Sequence, residues 1–284
     1  MHAESELDPD QYCAQLVARS GSSFAWAMRS LPMRQRRAMY AIYAFCRAVD
    51  DIADGDDGPA AKIEALRAWR SSIDEHNGGG TSDPIVRALS TAVTEYGLAR
   101  TDLLAVIEGM EMDAALRVRI ADDPHLALYC DRVAGAVGRL SNCVFGLAPP
   151  QSDQLAHVLG EALQITNILR DLDEDAARDR LYLPMTRLSA AGLTDTAAHA
   201  TALLADPAIA TVCGDLADLA RRRFAEAAAL ISILDPARIR APRLMMVVYQ
   251  RKFDHLVARG WVRRPPVSLP LWEKAWLAIR YTWA

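Results

Sequence analysis

The sequence has no apolar run near the ~18 residues that a membrane span requires. The best candidate, Ala227 to Leu234, is far too short. It has no Cys-x-x-Cys pair. The five cysteines, Cys13, Cys46, Cys130, Cys143 and Cys213, are odd in number and scattered, which argues for reduced thiols in a cytoplasmic protein. Its six histidines show neither HxxxH nor HExxH spacing, so a zinc site is not expected. Residues 1–20 are rich in Asp and Glu and carry no apolar core, so no signal peptide is expected. A net charge of −4 leaves no basic field to draw nucleic acid. No alternating strand with a hairpin turn is visible, and no Rossmann-type GxGxxG.

What is present is ordinary globular composition, 51% hydrophobic and 24% charged over 284 residues. Helical signals recur from end to end. Asp-Pro pairs at Asp8-Pro9, Asp83-Pro84, Asp123-Pro124, Asp206-Pro207 and Asp235-Pro236 combine a capping carboxylate with a preset φ, so each marks a helix start. Gly55, Gly97, Gly146, Gly192 and Gly260 sit where the helical patterns stop. Met39, Ile42, Tyr43, Cys46 and Val49 recur at three and four, a helical stripe. The spacing predicts about ten helices, over 9–19, 24–54, 59–76, 84–96, 102–120, 124–145, 152–178, 196–205, 207–234, 236–259 and 270–282. The loop Asn77 to Ser82 and the proline-rich stretch 261–270 do not separate compositionally distinct halves, and no repeat is visible. One all-α domain over 1–284 is expected.

Two acidic clusters interrupt apolar helices. In the first, Asp50-Asp51-Ile52-Ala53-Asp54, Asp50 and Asp54 are i and i+4 and share a face, with Cβ atoms ~5–6 Å apart. In the second, Asn167, Asp171 and Asp175 are i, i+4 and i+8. Their repulsion would destabilise an isolated helix, and a bound cation would remove it. Oxygen ligands from Asn and Asp suit Mg²⁺, which adds substrate phosphate oxygens to its shell. Two such stripes facing each other would hold several ions around a diphosphate, whose charge must be neutralised before it leaves. Arg47 and Arg170 stand beside the clusters and can bind phosphate bidentately. The competing reading of either cluster alone is a solvated face of ion pairs.

The sequence resembles the squalene/phytoene synthase family over nearly its whole length. The matching pieces are Ser22-Ser23-Phe24, Tyr43 to Asp54, Tyr129-Cys130 with Val133 to Gly138, and Gln164 to Asp175 followed by Arg180-Leu181-Tyr182-Leu183-Pro184. The resemblance implies a helical bundle of the isoprenoid synthase type with a central cavity, and Mg²⁺-dependent head-to-head joining of two prenyl diphosphates. It places Asp50, Asp54, Asn167, Asp171 and Asp175 on Mg²⁺–diphosphate. Ser23, Phe24, Arg47, Gln164, Arg170 and Tyr182 would contact substrate or diphosphate, and Tyr43, Tyr129 and Tyr249 would line the pocket, with Tyr129 counted among the catalytic residues. Gly135 and Gly138 fall mid-helix, where each costs ~1 kcal/mol relative to Ala; they either make room for a prenyl chain or let helices pack closely.

Three pieces, Ser20 to Phe24, Gly109 to Ala114 and Leu172 to Arg178, look closest to the hopanoid-pathway branch that joins two farnesyl diphosphates and stops at the cyclopropylcarbinyl diphosphate. That would link the chain to downstream squalene-forming enzymes. Phytoene and dehydrosqualene synthases share the main motifs. A non-catalytic helical assembly factor and a one-substrate terpene cyclase are the other readings. Two positions depart from the family pattern: Pro270-Leu271-Trp272-Glu273 partly replaces basic residues, and Asp179 stands where many members carry Gly, in a loop expected to tolerate it. Residues 259–284 hold Trp261, Trp272, Trp276, Tyr281 and Trp283 with five basic side chains, which suits either peripheral attachment at the inner face of a membrane or closure of the bundle end.

Overall fold

The computed structural model describes residues 8–20, 25, 28, 29, 31–74, 83–193, 195 and 197–261. In chain order the elements are α1 (Pro9–Arg19), α2 (Met33–Asp54), α3 (Pro59–Asp74), α4 (Pro84–Tyr96), α5 (Arg100–Asp113), β1 (Val118–Arg119), α6 (Asp123–Cys130), a π-helical turn (Asp131–Gly135), α7 (Ala136–Phe145), α8 (Gln151–Arg170), α9 (Leu172–Ala177), β2 (Arg180–Leu181), α10 (Met185–Ala190), α11 (Ala200–Leu203), α12 (Pro207–Ile233) and α13 (Arg240–Arg259). The fold is all-α. Its sheet, among the described residues, is one parallel pair, Val118 against Arg180 and Arg119 against Leu181.

Aspartate caps start several helices as their chemistry requires. Asp8, Asp83 and Asp206 each accept a backbone N–H at the head of α1, α4 and α12, with proline in the first turn. The pair at Asp123-Pro124 is shifted by one: Asp122 is the cap, taking the His125 N–H at 2.9 Å. Asp235-Pro236 does not start a helix. Asp235 folds a turn, accepting from the Ala237 N–H at 2.9 Å, and α13 begins at Arg240. Gly97 and Gly146 end α4 and α7 in the left-handed region (φ 65° and 75°), which glycine enters without strain.

Besides the late start of α13, the helix expected over 124–145 is interrupted by the π turn, and four more are shorter or broken. The one expected over 24–54 begins at Met33, after Pro32, and residue 24 lies outside the described residues. The one expected over 102–120 stops at Asp113, because the chain must turn to pair Val118 with Arg180. The one expected over 152–178 breaks at Asp171 (φ −103°, ψ 13°). Hydrogen bonds still run from the Asp171 N–H to Asn167 and from the Asp175 N–H to Asp171, at 3.0 and 2.8 Å, so the i, i+4, i+8 register survives the break. The helix over 196–205 contracts to α11. The helix expected over 270–282 lies outside the described residues.

α8 is enclosed by α12, α13, α7 and the π turn, and is buried on nearly every side. It passes the π turn backbone to backbone: a Cβ on Gly160 would sit 2.9 Å from the Gly135 nitrogen. That approach requires glycine at 160, whereas a Cβ on Gly135 would meet the Asp131 carboxylate at 2.5 Å. Gly138 does both things, lying 3.0 Å in the same sense from the Ala156 side chain and lining a cavity. α2 packs on α1, α4, α5 and α7. One of its faces (Ile42, Phe45, Val49) is core, while Tyr43, Cys46, Asp50 and Asp54 follow one another at three and four along a different face. α2 and α8 thus hold a space between them, floored by α7 and the π turn.

Candidate active site

That space has two compartments. The polar one, ≈ 480 Å³, is lined from α2 by Tyr43, Arg47, Asp50 and Asp54, and from α8 and α9 by Gln164, Asn167, Arg170, Asp171, Glu174 and Asp175. Asp113, Tyr129, Arg180 and Tyr182 complete it. The apolar one, ≈ 290 Å³, includes Met39, Ile42, Phe145, Leu155, Leu159 and Met245. Tyr43, Cys46, Val133, Val137, Gln164 and Asn167 line both, so the compartments adjoin. Tyr249 lines the apolar one. Every site residue expected from the sequence is thus brought to this space except Ser23 and Phe24, which lie outside the described residues.

Charges within the polar compartment are paired but not balanced. Arg47 reaches Asp50 at 3.1 Å and Asp51 at 2.6 Å. Arg170 holds Asp171 with two nitrogens, at 2.7 and 2.5 Å. Arg180 binds Asp54 at 2.6 Å, and Arg178 meets the same oxygen at 3.0 Å. Even so, burial and then the Asp54 charge push the Asp50 carboxyl up to about 6. Burial and then the Asp171 charge push Asp175 up to about 8. The arginines present do not offset the carboxylates.

A hard cation fits this arrangement. Asn167 Oδ1 is buried with no hydrogen-bond partner, an oxygen left over at ligand spacing from Asp171. Among the described residues no three His, Cys, Asp or Glu side chains converge closely enough to hold an ion unaided. Mg²⁺ is commonly held by one or two carboxylates with substrate phosphates and water, so facing pairs of oxygens match that usage.

Two residues here were not singled out from the sequence as site residues. Arg180 is buried and donates to Asp54 Oδ1, to the Ala53 carbonyl and to the Asp113 carbonyl. It stands two residues before Tyr182, within a motif already noted. Asp113 accepts the hydroxyl protons of Tyr129 and Tyr182 at 3.0 and 2.7 Å. It closes α5 and lies within Gly109 to Ala114, a piece already noted. Burial, opposed by those hydrogen bonds and by Arg180, leaves the Asp113 carboxyl at about 6. The tyrosine rings stack with centroids 4.8 Å apart.

Taken together, the space can hold an anionic, metal-loving group at one end and an apolar chain at the other. Comparison with known proteins agrees. The sequence profile described as squalene/phytoene synthase matches residues 17–273. A presqualene diphosphate synthase of Sinorhizobium fredii is 44% identical over 262 residues, covering 92% of this chain and 93% of that one. The protein of the same name from Rhodopseudomonas palustris is 43% identical over the same length, covering 92% and 93%. Among solved structures, a dehydrosqualene synthase determined with a ligand superposes with a TM-score of 0.83 at 25% identity, covering 97% of this chain and 96% of that one.

Proposed function

The chain belongs to the squalene/phytoene synthase family, a family of prenyltransferases, and we propose that it joins two farnesyl diphosphates head to head and stops at presqualene diphosphate. The observation that carries the chemistry is the facing of Asp50 and Asp54 on α2 with Asn167, Asp171 and Asp175 across a cavity that adjoins an apolar chamber. The choice within the family is supported by relatives bearing that activity's name at 43–44% identity over 92% of this chain.

The balanced reaction breaks the C1–O bond of one farnesyl diphosphate, and diphosphate departs with the electron pair. The allylic cation alkylates the 2,3-double bond of the second molecule. Loss of one C1 proton closes the cyclopropane, so two substrates yield one C30 diphosphate, diphosphate and a proton. Asp50, Asp54, Asn167, Asp171 and Asp175 would hold Mg²⁺, which when bound neutralises the leaving diphosphate. Arg47, Arg170 and Arg180 add fixed positive charge at the same end. The apolar compartment excludes water from the cation, and Tyr43 and Tyr129 offer aromatic rings beside it.

Incubation with farnesyl diphosphate and Mg²⁺, repeated with geranylgeranyl diphosphate and with NADPH, tests the reading. Presqualene diphosphate is expected, unchanged by NADPH. A C40 product, a cyclic hydrocarbon or no product would overturn it. No helix among the described residues is long and apolar enough to cross a membrane. Peripheral attachment through residues 259–284 is a separate proposal, resting on their Trp and Arg content. Co-sedimentation with anionic liposomes, comparing the full chain with one ending at Arg264, tests it; equal binding by both would reject it.

A further inference from the structure

Asp113 sits outside both acidic motifs, at the C-terminal end of α5, and is 5% exposed. Its Oδ1 accepts the Tyr182 hydroxyl at 2.7 Å and its Oδ2 the Tyr129 hydroxyl at 3.0 Å. Its backbone carbonyl accepts from Arg180 at 3.1 Å, and the same guanidinium holds Asp54. The three side chains therefore form a clamp tied to the first acidic motif. They come from α5, α6 and the segment after β2, so only the folded chain assembles them.

A phenol has one proton to give. With both protons committed to Asp113, neither hydroxyl can turn to donate into the cavity, and each oxygen retains only acceptor character there. The stacked rings, 22° from parallel, cannot tilt independently without breaking a bond to the carboxylate. This matters in a reaction that develops positive charge on carbon. A free hydroxyl rotor would solvate the departing oxygen and the cation indiscriminately, whereas fixed oxygen dipoles favour the charged carbon alone. For fold stability alone a buried carboxylate is a poor choice, since a well-packed apolar side chain of similar volume is often neutral or better.

We propose that Asp113 is a positioning residue for the condensation, fixing the Tyr129 and Tyr182 rings and the direction of both hydroxyl protons so that the oxygens serve the developing cation as acceptors. The proposal rests on the prenyl-condensing reading above.

The test uses the full chain with Asp113→Asn, Asp113→Glu, Tyr129→Phe and Tyr182→Phe. The assay reads kcat, KM for farnesyl diphosphate, melting temperature, and the ratio of condensed product to farnesol from water capture. Asp113→Asn keeps the shape but offers one acceptor oxygen, so one phenol must lose its partner or turn its proton. The expected result is a kcat lower by about 10- to 100-fold, as for a misplaced catalytic group, with KM little changed. Farnesol should rise relative to product. Asp113→Glu should recover part of the ratio. Adding Tyr129→Phe to Asp113→Asn should cost little more, because both changes break one unit. A parental product ratio in folded Asp113→Asn would overturn the proposal, as would strictly additive losses. Should Asp113→Asn fail to fold, Tyr182→Phe decides: it leaves Asp113 holding Tyr129 alone, and a parental ratio there is equally fatal. The parent's own product tests the reading above separately. If the parent makes a different condensed product, the same ratios are taken on that product.

Discussion

Arg180 and Asp54 meet at 2.6 Å, joining β2 to the end of α2 across 126 residues of chain. The arginine is buried and also caps the carbonyls of Ala53 and Asp113. Arg180→Gln should leave the Asp113 carbonyl without its donor, and should leave Asp54 with Arg178 alone at 3.0 Å and the Ala53 carbonyl with Lys62 alone at 2.9 Å. A loss of about 2–3 kcal/mol in folding stability is expected, from broken hydrogen bonds to a charged group. Asp54 is partly exposed, so water softens its share. Chemical denaturation of both proteins checks this, and an unchanged midpoint would show that the contact contributes nothing. Turnover should also fall, because Asp54 would lose the buried one of the two arginines that hold it.

Asp50→Asn or Asp171→Asn should abolish product formation while leaving the fold intact. Both side chains line the polar compartment, and neither is core. Product formation and melting temperature are measured together. Near-normal turnover in either variant would remove the metal-site reading.

Metal-free protein should lose stability as pH rises from about 4 to about 8. The Asp175 carboxyl stands at about 8 in the fold, through burial and the Asp171 charge, against an unfolded value of about 3.9. Between those values the native state holds a proton that the unfolded chain releases. Raising pH therefore favours unfolding across that window, and the loss is complete above it. Melting curves of parent and Asp175→Asn over this range should converge at low pH and separate at high pH, with the variant the more stable. Parallel curves would show that Asp175 is not the source.

Mg²⁺ and inorganic diphosphate together should raise the melting temperature more than the sum of their separate shifts. Each completes the other's contacts, and a ligand that binds only the native state stabilises it. Independent, additive shifts would count against a shared site.

The helix starts at Asp8, Asp83 and Asp206 and the i, i+4 carboxylates were legible in the sequence because their causes are local: a cap needs two or three neighbouring residues, and a shared helix face needs only spacing. What was not legible depends on distant chain. The stop of α5 at Asp113 reflects pairing of Val118 with Arg180, 62 residues on. Asp171 breaks the helix that spacing runs through. The pairing of Asp113 with Tyr129 and Tyr182 joins three separate segments, so no window of sequence contains it. Asp235-Pro236 carries the same local signal as Asp206-Pro207 yet makes a turn.

Asp179, in a loop expected only to tolerate it, turns out to organise that loop. Its φ of 55° is left-handed, a conformation that glycine takes freely and other residues at ~1–2 kcal/mol. Its carboxylate compensates by accepting from Arg117 at 3.0 Å, Arg119 at 2.5 Å and the Ala200 N–H at 2.8 Å. Against the cost of burial, these donors hold the carboxyl far below its usual range. Such a group stabilises the fold fully above its unfolded value near 3.9, and the contribution is lost as pH falls toward its folded value. Three substitutions separate the two effects. Asp179→Gly relieves the φ strain but loses the bonds. Asp179→Ala loses the bonds and keeps the strain. Asp179→Asn keeps some of the bonds without the charge. Stability at pH 7 should therefore fall in the order Asp, Gly, Ala, with Ala below Gly by about 1 kcal/mol, the left-handed penalty. Asn should lie above Ala. The gap between parent and each variant should narrow below pH 4. Denaturation midpoints at pH 7 and pH 3.5 provide the check. If Gly proves more stable than Asp at pH 7, the ion pairs do not repay the strain, and Asp179 is merely tolerated after all.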